Sequence, residues 1–195
     1  NSMEGMMRIE RISDDGIELL FSPEKDSSAL YPLTLICAQV RPICMRRILR
    51  EAVSLGVGRM ILPVSDLGEK SYLNASLYKD GEYRDILLDG AMQAGKTGVT
   101  DTALASGVEE AIKLAGSDTL LLLDNVIGAV PLSEMDLRGK SVAVAIGPER
   151  GWSERERRVF LDSGFIPAIM GSRILRTETA AVASVALALS RMGYL

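Results

Sequence analysis

Short apolar runs alternate with helical segments along most of this chain of 195 residues. Continuous apolar strands of this kind are typical of parallel sheets that are covered by helices on both faces. Because strands and helices alternate, the sequence predicts an α/β fold with a mostly parallel sheet. The predicted strands are LTLICAQV (33–40), RMILPV (59–64), TLLLLD (119–124), SVAVAIG (141–147) and FIPAIMG (165–171).

Helix signals fill the segments between these runs. Pro42 suits a first helical turn, and the spacing of ICMRRILREAVSLGV predicts a helix that ends near Gly56. The closing segment, residues 177–192, is apolar on most sides. We expect it to form a helix buried against the sheet and against a second subunit, because large apolar surfaces rarely stay exposed.

Two of the predicted helices begin with the spacing of a capping box, in which a Ser and a Glu three residues later exchange hydrogen bonds with the backbone. Ser106 and Glu109 form one such pair. Ser153 and Glu156 form the other, at the start of a helix that we expect to end at Gly164.

The N-terminal region differs from the rest of the chain. MMRIERI (6–12) and IELLF (17–21) flank SDDG, which predicts a β-hairpin. The Ser and Pro content of residues 22–32 is typical of a linker. We therefore divide the chain into an N-terminal hairpin and linker, residues 1–32, and a main domain, residues 33–195.

Residues 90–97, GAMQAGKT, satisfy the phosphate-loop pattern G-x-x-x-x-G-K-[ST], and the Asp that ends TLLLLD resembles a magnesium ligand. The surroundings contradict this interpretation. Gly90 lies on the apolar face of a predicted helix, whereas a phosphate loop follows a strand and leads into a helix. A nucleoside triphosphatase is thus the disfavoured alternative, and it predicts ATP binding that depends on Lys96.

Composition excludes several kinds of site. The chain has no histidine and only two cysteines, Cys37 and Cys44, so we expect no metal site and no disulfide framework. No apolar run is long enough to cross a bilayer and no signal peptide opens the chain, which predicts a cytoplasmic protein without a membrane partner.

Charge is distributed unevenly along the chain. The net charge is −4, but residues 138–176 hold eight Lys or Arg against four acidic residues. This segment is either a face that binds phosphates or a solvated helix with alternating charges. Charge alone leaves both interpretations open.

Glycine-flanked loops follow two predicted strands that we expect to be adjacent. They are GPERGWS (147–153) and GSRILRTETA (171–180). Ligands of open α/β sheets bind at the carboxyl ends of strands, where glycines allow close approach and helix N-termini present free N–H groups. Each loop alone is better explained as a tight turn, but the pair side by side indicates a ligand site.

IGPERGWSERE followed by MGSRILRTETAA resembles the GPEGG-type and LG-x-RILRTETA signatures of the RsmE family. These are methyltransferases of the SPOUT class that use S-adenosylmethionine. Weaker similarity extends back through AMQAGK to LTLICAQV and SLGV, so the resemblance covers roughly residues 33–195. It also explains GAMQAGKT without any nucleotide.

The resemblance implies a C-terminal trefoil knot, a homodimer, and methylation of N3 of a uridine in the ribosomal RNA of the small subunit. By motif match, it implies that S-adenosylmethionine contacts Leu122, Gly147, Pro148, Glu149, Gly151, Met170, Gly171, Ile174, Leu175 and Thr177.

The same resemblance assigns the chemistry to the N-terminal end of the closing helix. We expect Arg176 to stabilise the imide anion of the base, and Glu178 either to orient Arg176, to accept the proton, or to act only as a helix cap. The expected RNA contacts are Lys96, Arg150, Arg155, Arg158 and Arg173.

The chain departs from the family at three points. Arg150 stands where the family has glycine, which predicts an altered backbone angle, and Lys96 stands where it has arginine. Only 32 residues precede Leu33, where the family carries an RNA-binding barrel; the hairpin is a candidate remnant of that barrel. A catalytically silent, RNA-binding relative is therefore the first alternative to an active enzyme.

Overall fold

The computed structural model describes residues 3–26 and 29–195. Its strands are β1 (Met3–Ser13), β2 (Gly16–Asp26), β3 (Tyr31–Cys37), β4 (Val57–Pro63), β5 (Asp101–Ala105), β6 (Thr119–Leu123), β7 (Val130–Pro131), β8 (Val142–Ile146) and β9 (Ile166–Ile169). Its helices are α1 (Pro42–Ser54), α2 (Ser76–Lys79), α3 (Tyr83–Gln93), α4 (Val108–Ala115), α5 (Glu154–Asp162) and α6 (Thr177–Met192).

Seven strands form one sheet in the order β5-β4-β3-β8-β6-β9-β7, and every neighbouring pair is parallel. This confirms the predicted α/β fold with a mostly parallel sheet. The expected adjacency of β8 and β9 is wrong, because β6 lies between them and pairs with both. Strand order is set by packing across the whole sheet, and the local pattern of apolar residues does not encode it.

Helices cover both faces of the sheet. α1, α3 and α6 pack on one face, where Ile48, Leu87 and Val185 belong to one buried cluster. α4 and α5 pack on the other face through Val108 and Phe160. This three-layer arrangement explains why the strand segments are apolar without alternation.

Gly90 lies in the middle of α3, and its surroundings exclude the phosphate-loop interpretation. A Cβ at this position would lie 2.4 Å from Val53 Cγ1 and 3.0 Å from the carbonyl oxygen of Arg50. The glycine therefore allows α3 to approach α1 closely. Gly95, at φ +64°, follows the end of the helix, and residues 97–100, directly after Lys96, are not helical.

One predicted capping box is confirmed and the other is wrong. At α5 both reciprocal hydrogen bonds between Ser153 and Glu156 are present. α4 instead begins after Gly107, so Glu110 is its third residue and accepts hydrogen bonds from the N–H and hydroxyl of Ser106 at 2.8 and 2.6 Å. The boundary lies one residue later than the sequence predicts.

β1 and β2 form the antiparallel hairpin that the sequence predicts, but both strands are longer. Residues 22–26 continue β2, so the segment predicted to be a linker begins as a strand. Six apolar residues share one face of the hairpin, and each is 44–71% exposed. They are Met7, Ile9, Ile12, Ile17, Leu19 and Phe21. Residues 3–26 carry seven acidic and three basic residues, which does not suit a phosphate partner.

Within the described ranges, no helix has both the length and the hydrophobicity that a membrane span requires.

Candidate functional site

A cleft of about 970 Å³ opens at the carboxyl ends of β6, β8 and β9. Its volume lies near the upper end of the range for small-molecule pockets, about 300–1,000 Å³. The two glycine-flanked loops border it, as expected for a ligand site of a parallel sheet.

The first loop, GPERG, is shaped by its two glycines. A Cβ on Gly147 would lie 3.0 Å from both the carbonyl carbon of Gly151 and the nitrogen of Trp152, so only glycine lets the ends of the loop meet. Gly151 has φ +72°. Arg150 does not have a positive φ, because among the described residues only glycines do.

The second loop joins β9 to α6 and exposes apolar side chains at the cleft. Ile174 is 82% exposed, and Leu175 beside it is also exposed. At the end of the loop the Thr177 hydroxyl donates to the carbonyl oxygen of Gly147 across 3.4 Å. This contact joins the two loops, and the exposed apolar side chains supply surface that a ligand can cover.

Arg176 and Glu178 flank the first residue of α6 and both line the cleft. Arg176, the N-cap residue, makes no side-chain cap hydrogen bond, and Glu178 is the acidic residue of the first turn, where its charge favours the helix N-terminus. Its carboxylate lies near the thiol of Cys44 in the cleft. Burial raises the pKa of Cys44, and the carboxylates of Glu178 and Glu149 raise it further.

Sequence reasoning missed the opposite wall of the cleft, which comes from the segments that follow β3 and β4. This wall contains Arg41, Cys44, Leu67, Gly68, Glu69 and Tyr72. The Arg41 backbone N–H donates to Glu149 at 3.3 Å, and a hydrogen bond with the Tyr72 hydroxyl raises the pKa of the Arg41 guanidinium. The rule that placed the glycine loops would have found these segments, since they also follow strand ends.

Asp124 lies at the end of β6 and lines the cleft. One carboxylate oxygen accepts hydrogen bonds from the backbone N–H groups of Val126 and Ile127 at 2.7 and 3.2 Å. The other accepts from Arg157 Nε at 2.8 Å, and only 2% of the side chain is exposed. Because both oxygens are engaged inside the protein, this residue does not resemble the magnesium ligand of a phosphate-loop enzyme.

The structure brings most of the predicted site residues together. The residues that line the cleft are Gly147, Pro148, Glu149, Arg150, Gly151, Met170, Gly171, Arg173, Ile174, Leu175, Arg176, Thr177 and Glu178. Leu122 is not among them, because it is fully buried in the cluster on the α4–α5 side of the sheet. Leu123, the next residue along β6, lines the cleft instead.

Three of the predicted RNA contacts also lie outside the cleft. Lys96 faces Glu4 of β1, with 3.7 Å between Nζ and Oε1. Arg155 pairs with Asp66 and Glu109. Arg158 is exposed on α5, and no carboxylate of residues 3–26 or 29–195 lies within salt-bridge distance of it.

For the described residues, no group of three or more His, Cys, Asp or Glu side chains is arranged to hold a metal ion.

Residues 26–189 match the model of a protein family described as an RNA methyltransferase domain. A ribosomal RNA small subunit methyltransferase E from Treponema pallidum (strain Nichols) is 36% identical over an alignment of 197 positions, which covers 97% of this chain and 74% of that protein.

Solved structures share the fold. A ribosomal RNA small subunit methyltransferase E from Neisseria gonorrhoeae, bound to S-adenosyl methionine, superposes with a TM-score of 0.79 at 23% identity, over 95% of this chain and 78% of that one. A Legionella pneumophila protein described as a methyltransferase, in complex with the cofactor SAM, superposes with a TM-score of 0.84 at 21% identity, over 97% of this chain and 79% of that one.

Proposed function

The chain belongs to the RsmE family of ribosomal RNA methyltransferases, and on that premise we propose that it methylates N3 of a uridine in small-subunit ribosomal RNA with S-adenosylmethionine. The observation that carries the proposal is the cleft, in which the GPERG and GSRILRTETA loops meet beside Arg176. The names of the relatives support the small-subunit substrate, and the neighbour solved with S-adenosyl methionine supports the cofactor.

The cleft suits this cofactor. Leu123, Ile146 and Ala168 give it an apolar floor, and we expect backbone groups of the two loops to read the adenine edge. Trp152 borders the same space, and its buried indole N–H has no acceptor among the residues described. When bound, the sulfonium supplies an activated methyl group.

The protein then has two tasks, to orient the base and to stabilise the charge that develops on it. Uracil N3–H is a weakly acidic imide, and the nitrogen becomes a good nucleophile only as its proton leaves. Arg176 is exposed in the cleft and lies outside every ion pair of the described chain, so its guanidinium is free to stabilise the imide anion. Glu178 is half-buried beside it and orients the base or accepts the proton.

The rim of the cleft supplies RNA contacts. Arg41, Arg150 and Arg173 are exposed there, where they can meet phosphates without first breaking an ion pair. The proposal also includes the trefoil knot, a homodimer through the outward side of α6, and a cytoplasmic location beside the ribosome. On that side of α6, Val182, Ala183 and Leu187 stay exposed or half-buried, which supports the homodimer. A monomeric mass in sedimentation at micromolar concentration would contradict the dimer.

Calorimetry with S-adenosylmethionine and with ATP is the first test, and we expect binding of the former alone. Transfer of a radiolabelled methyl group to small ribosomal subunits, followed by mass spectrometry of the nucleosides, then tests the reaction. We expect 3-methyluridine with the wild type and a large loss of rate with Arg176→Ala. Cofactor binding without methyl transfer to either subunits or free RNA would favour the silent relative.

A further inference from the structure

A group of polar side chains joins the two walls of the cleft outside the cleft itself. Asp66, in the loop after β4, accepts two hydrogen bonds from Arg155, at 2.8 Å from Nη2 and 2.9 Å from Nε. The same carboxylate accepts a third from the Ser153 hydroxyl at 2.6 Å. Arg155 also pairs with Glu109 of α4, so its guanidinium connects three elements.

Glu156 adds a second connection beneath the first. Its side chain is fully buried, and its two oxygens accept hydrogen bonds from the backbone N–H groups of Asp66 and Ser153, both at 2.8 Å. One buried carboxylate therefore holds the backbones of both loops. Burying a carboxylate costs free energy unless its oxygens are hydrogen-bonded. The folded state therefore favours the loop positions that keep both hydrogen bonds to Glu156.

The joined segments lead directly into the cleft walls. Leu67, Gly68 and Glu69 follow Asp66 and form part of one wall, and the GPERG loop precedes Ser153 on the other. The Asp66 loop is itself a tight turn, since the Gly68 N–H donates to the Ser65 carbonyl oxygen at 3.2 Å. A Cβ on Gly68 would lie 2.8 Å from Ser65 Oγ, so the turn has little room to rearrange.

We propose that Asp66, Arg155 and Glu156 form a clamp that fixes the spacing of the two cleft walls, and that Arg155 is a positioning residue rather than an RNA phosphate contact. The cofactor part of this inference rests on the proposed function. A planar guanidinium is needed because it meets Asp66 through two donors and Glu109 through a third, which the ammonium of lysine cannot reproduce.

Loss of the clamp should have a measurable effect that loss of an ordinary surface ion pair does not have. Exposed ion pairs contribute little to global stability, so loss of Arg155 leaves the melting temperature nearly unchanged. The loop that carries Leu67 then opens locally, and a cleft whose walls are less well fixed binds its ligand more weakly. Local opening without global unfolding distinguishes positioning from a general structural role.

The test uses Arg155→Ala, Asp66→Ala, the double variant and Arg155→Lys, with Arg158→Ala as the matched control on the same helix. Amide hydrogen exchange without ligand is the first measurement. We expect faster exchange of the amides of residues 66 and 68, which donate to Glu156 and to the Ser65 carbonyl oxygen, in every clamp variant. Arg155→Lys should be intermediate, and Arg158→Ala should show no change. Unchanged exchange in Arg155→Ala would overturn the clamp whether or not the protein binds a cofactor.

Calorimetry with S-adenosylmethionine is the second measurement. We expect Arg155→Ala to weaken binding about tenfold, and the double variant to lose less than the sum of the two single losses, because the Arg155–Asp66 hydrogen bonds are shared by both residues. The salt dependence of RNA binding should be the same as in the wild type. A flatter salt dependence in Arg155→Ala, together with normal amide exchange, would show that Arg155 is a phosphate contact. If the wild-type protein binds no S-adenosylmethionine, the proposed function is overturned, but the exchange result remains valid.

Discussion

Arg157 donates a hydrogen bond to the buried carboxylate of Asp124 across 2.8 Å, beside the cleft. The two side chains are 16% and 2% exposed, so this pair is the least solvated of the ion pairs described here. It fixes the segment after β6 to α5. Since Asp124 also accepts two backbone N–H groups, removal of Arg157 leaves a buried charge with only part of its compensation.

We expect Arg157→Ala to lower the free energy of unfolding by about 3–5 kcal/mol, the usual cost of breaking a buried ion pair. Arg158→Ala, at the exposed neighbouring position, should change it by less than about 0.5 kcal/mol. Urea denaturation of the two variants makes the comparison. Equal stability of both variants would show that Asp124 is solvated in solution.

Gly90→Ala should destabilise the protein, although alanine normally stabilises the interior of a helix by about 0.5–1 kcal/mol. The new Cβ would lie 2.4 Å from Val53 Cγ1, and overpacking of this kind costs about 1–3 kcal/mol. The double variant with Val53→Ala should recover part of the loss. A stabilised single variant, measured by thermal unfolding, would mean that α1 and α3 do not pack this closely.

The alternation of apolar runs and helices was sufficient to predict the parallel sheet, and the helical spacing around Gly90 was sufficient to reject the nucleotide loop. The sequence also placed both glycine loops correctly at strand ends. These features depend on residues near one another in the chain, where periodicity and turn chemistry act directly.

The strand order and the second wall of the cleft depend on contacts between distant segments. Nothing local in TLLLLD indicates that β6 separates β8 from β9, or which of its leucines faces the cleft. Both faces of the strand are buried, so Leu122 and Leu123 have the same apolar surroundings in sequence. Arg155 illustrates the same limit, because its acidic partners lie 89 and 46 residues away.

The apolar face of the hairpin gives a prediction of its own. Ile9 and Leu19 are paired across the strands and more than half exposed. Replacing both with threonine should change the free energy of unfolding by less than about 0.5 kcal/mol per site and should reduce self-association, because the face contributes exposed apolar area rather than core. A large loss of stability in urea denaturation would show that this face is covered in solution.

Arg150 lies exposed at the rim of the cleft. A guanidinium that points outward stays solvated and avoids the positive sulfonium, so the outward position has the lower free energy. We therefore expect Arg150→Gly to leave the affinity for S-adenosylmethionine within a few-fold, to weaken RNA binding and to flatten its salt dependence. A large gain in cofactor affinity by calorimetry would show that the side chain points inward and would support the silent relative.

Cys44 provides a chemical probe of the cleft wall. Burial and the nearby Glu178 and Glu149 carboxylates raise its pKa, so at a given pH its thiolate fraction is smaller than that of an ordinary cysteine. Alkylation by iodoacetamide at mildly alkaline pH should be slow, and its pH profile should be displaced to higher pH. Cys37 should not react over the same range, because burial raises its pKa to about 12.

The charge of Glu178 near the Cys44 thiol fixes the sign of a further prediction. Glu178→Gln removes a negative charge that disfavours the thiolate, so the pKa of Cys44 should fall and alkylation should become faster. Glu18→Gln, the same change on the exposed hairpin, is the matched control and should leave the rate unchanged. Peptide mass spectrometry assigns the label to each cysteine. An unchanged alkylation rate in Glu178→Gln would mean that the carboxylate points away from Cys44. That result would contradict the position in the cleft that we propose for Glu178 as proton acceptor.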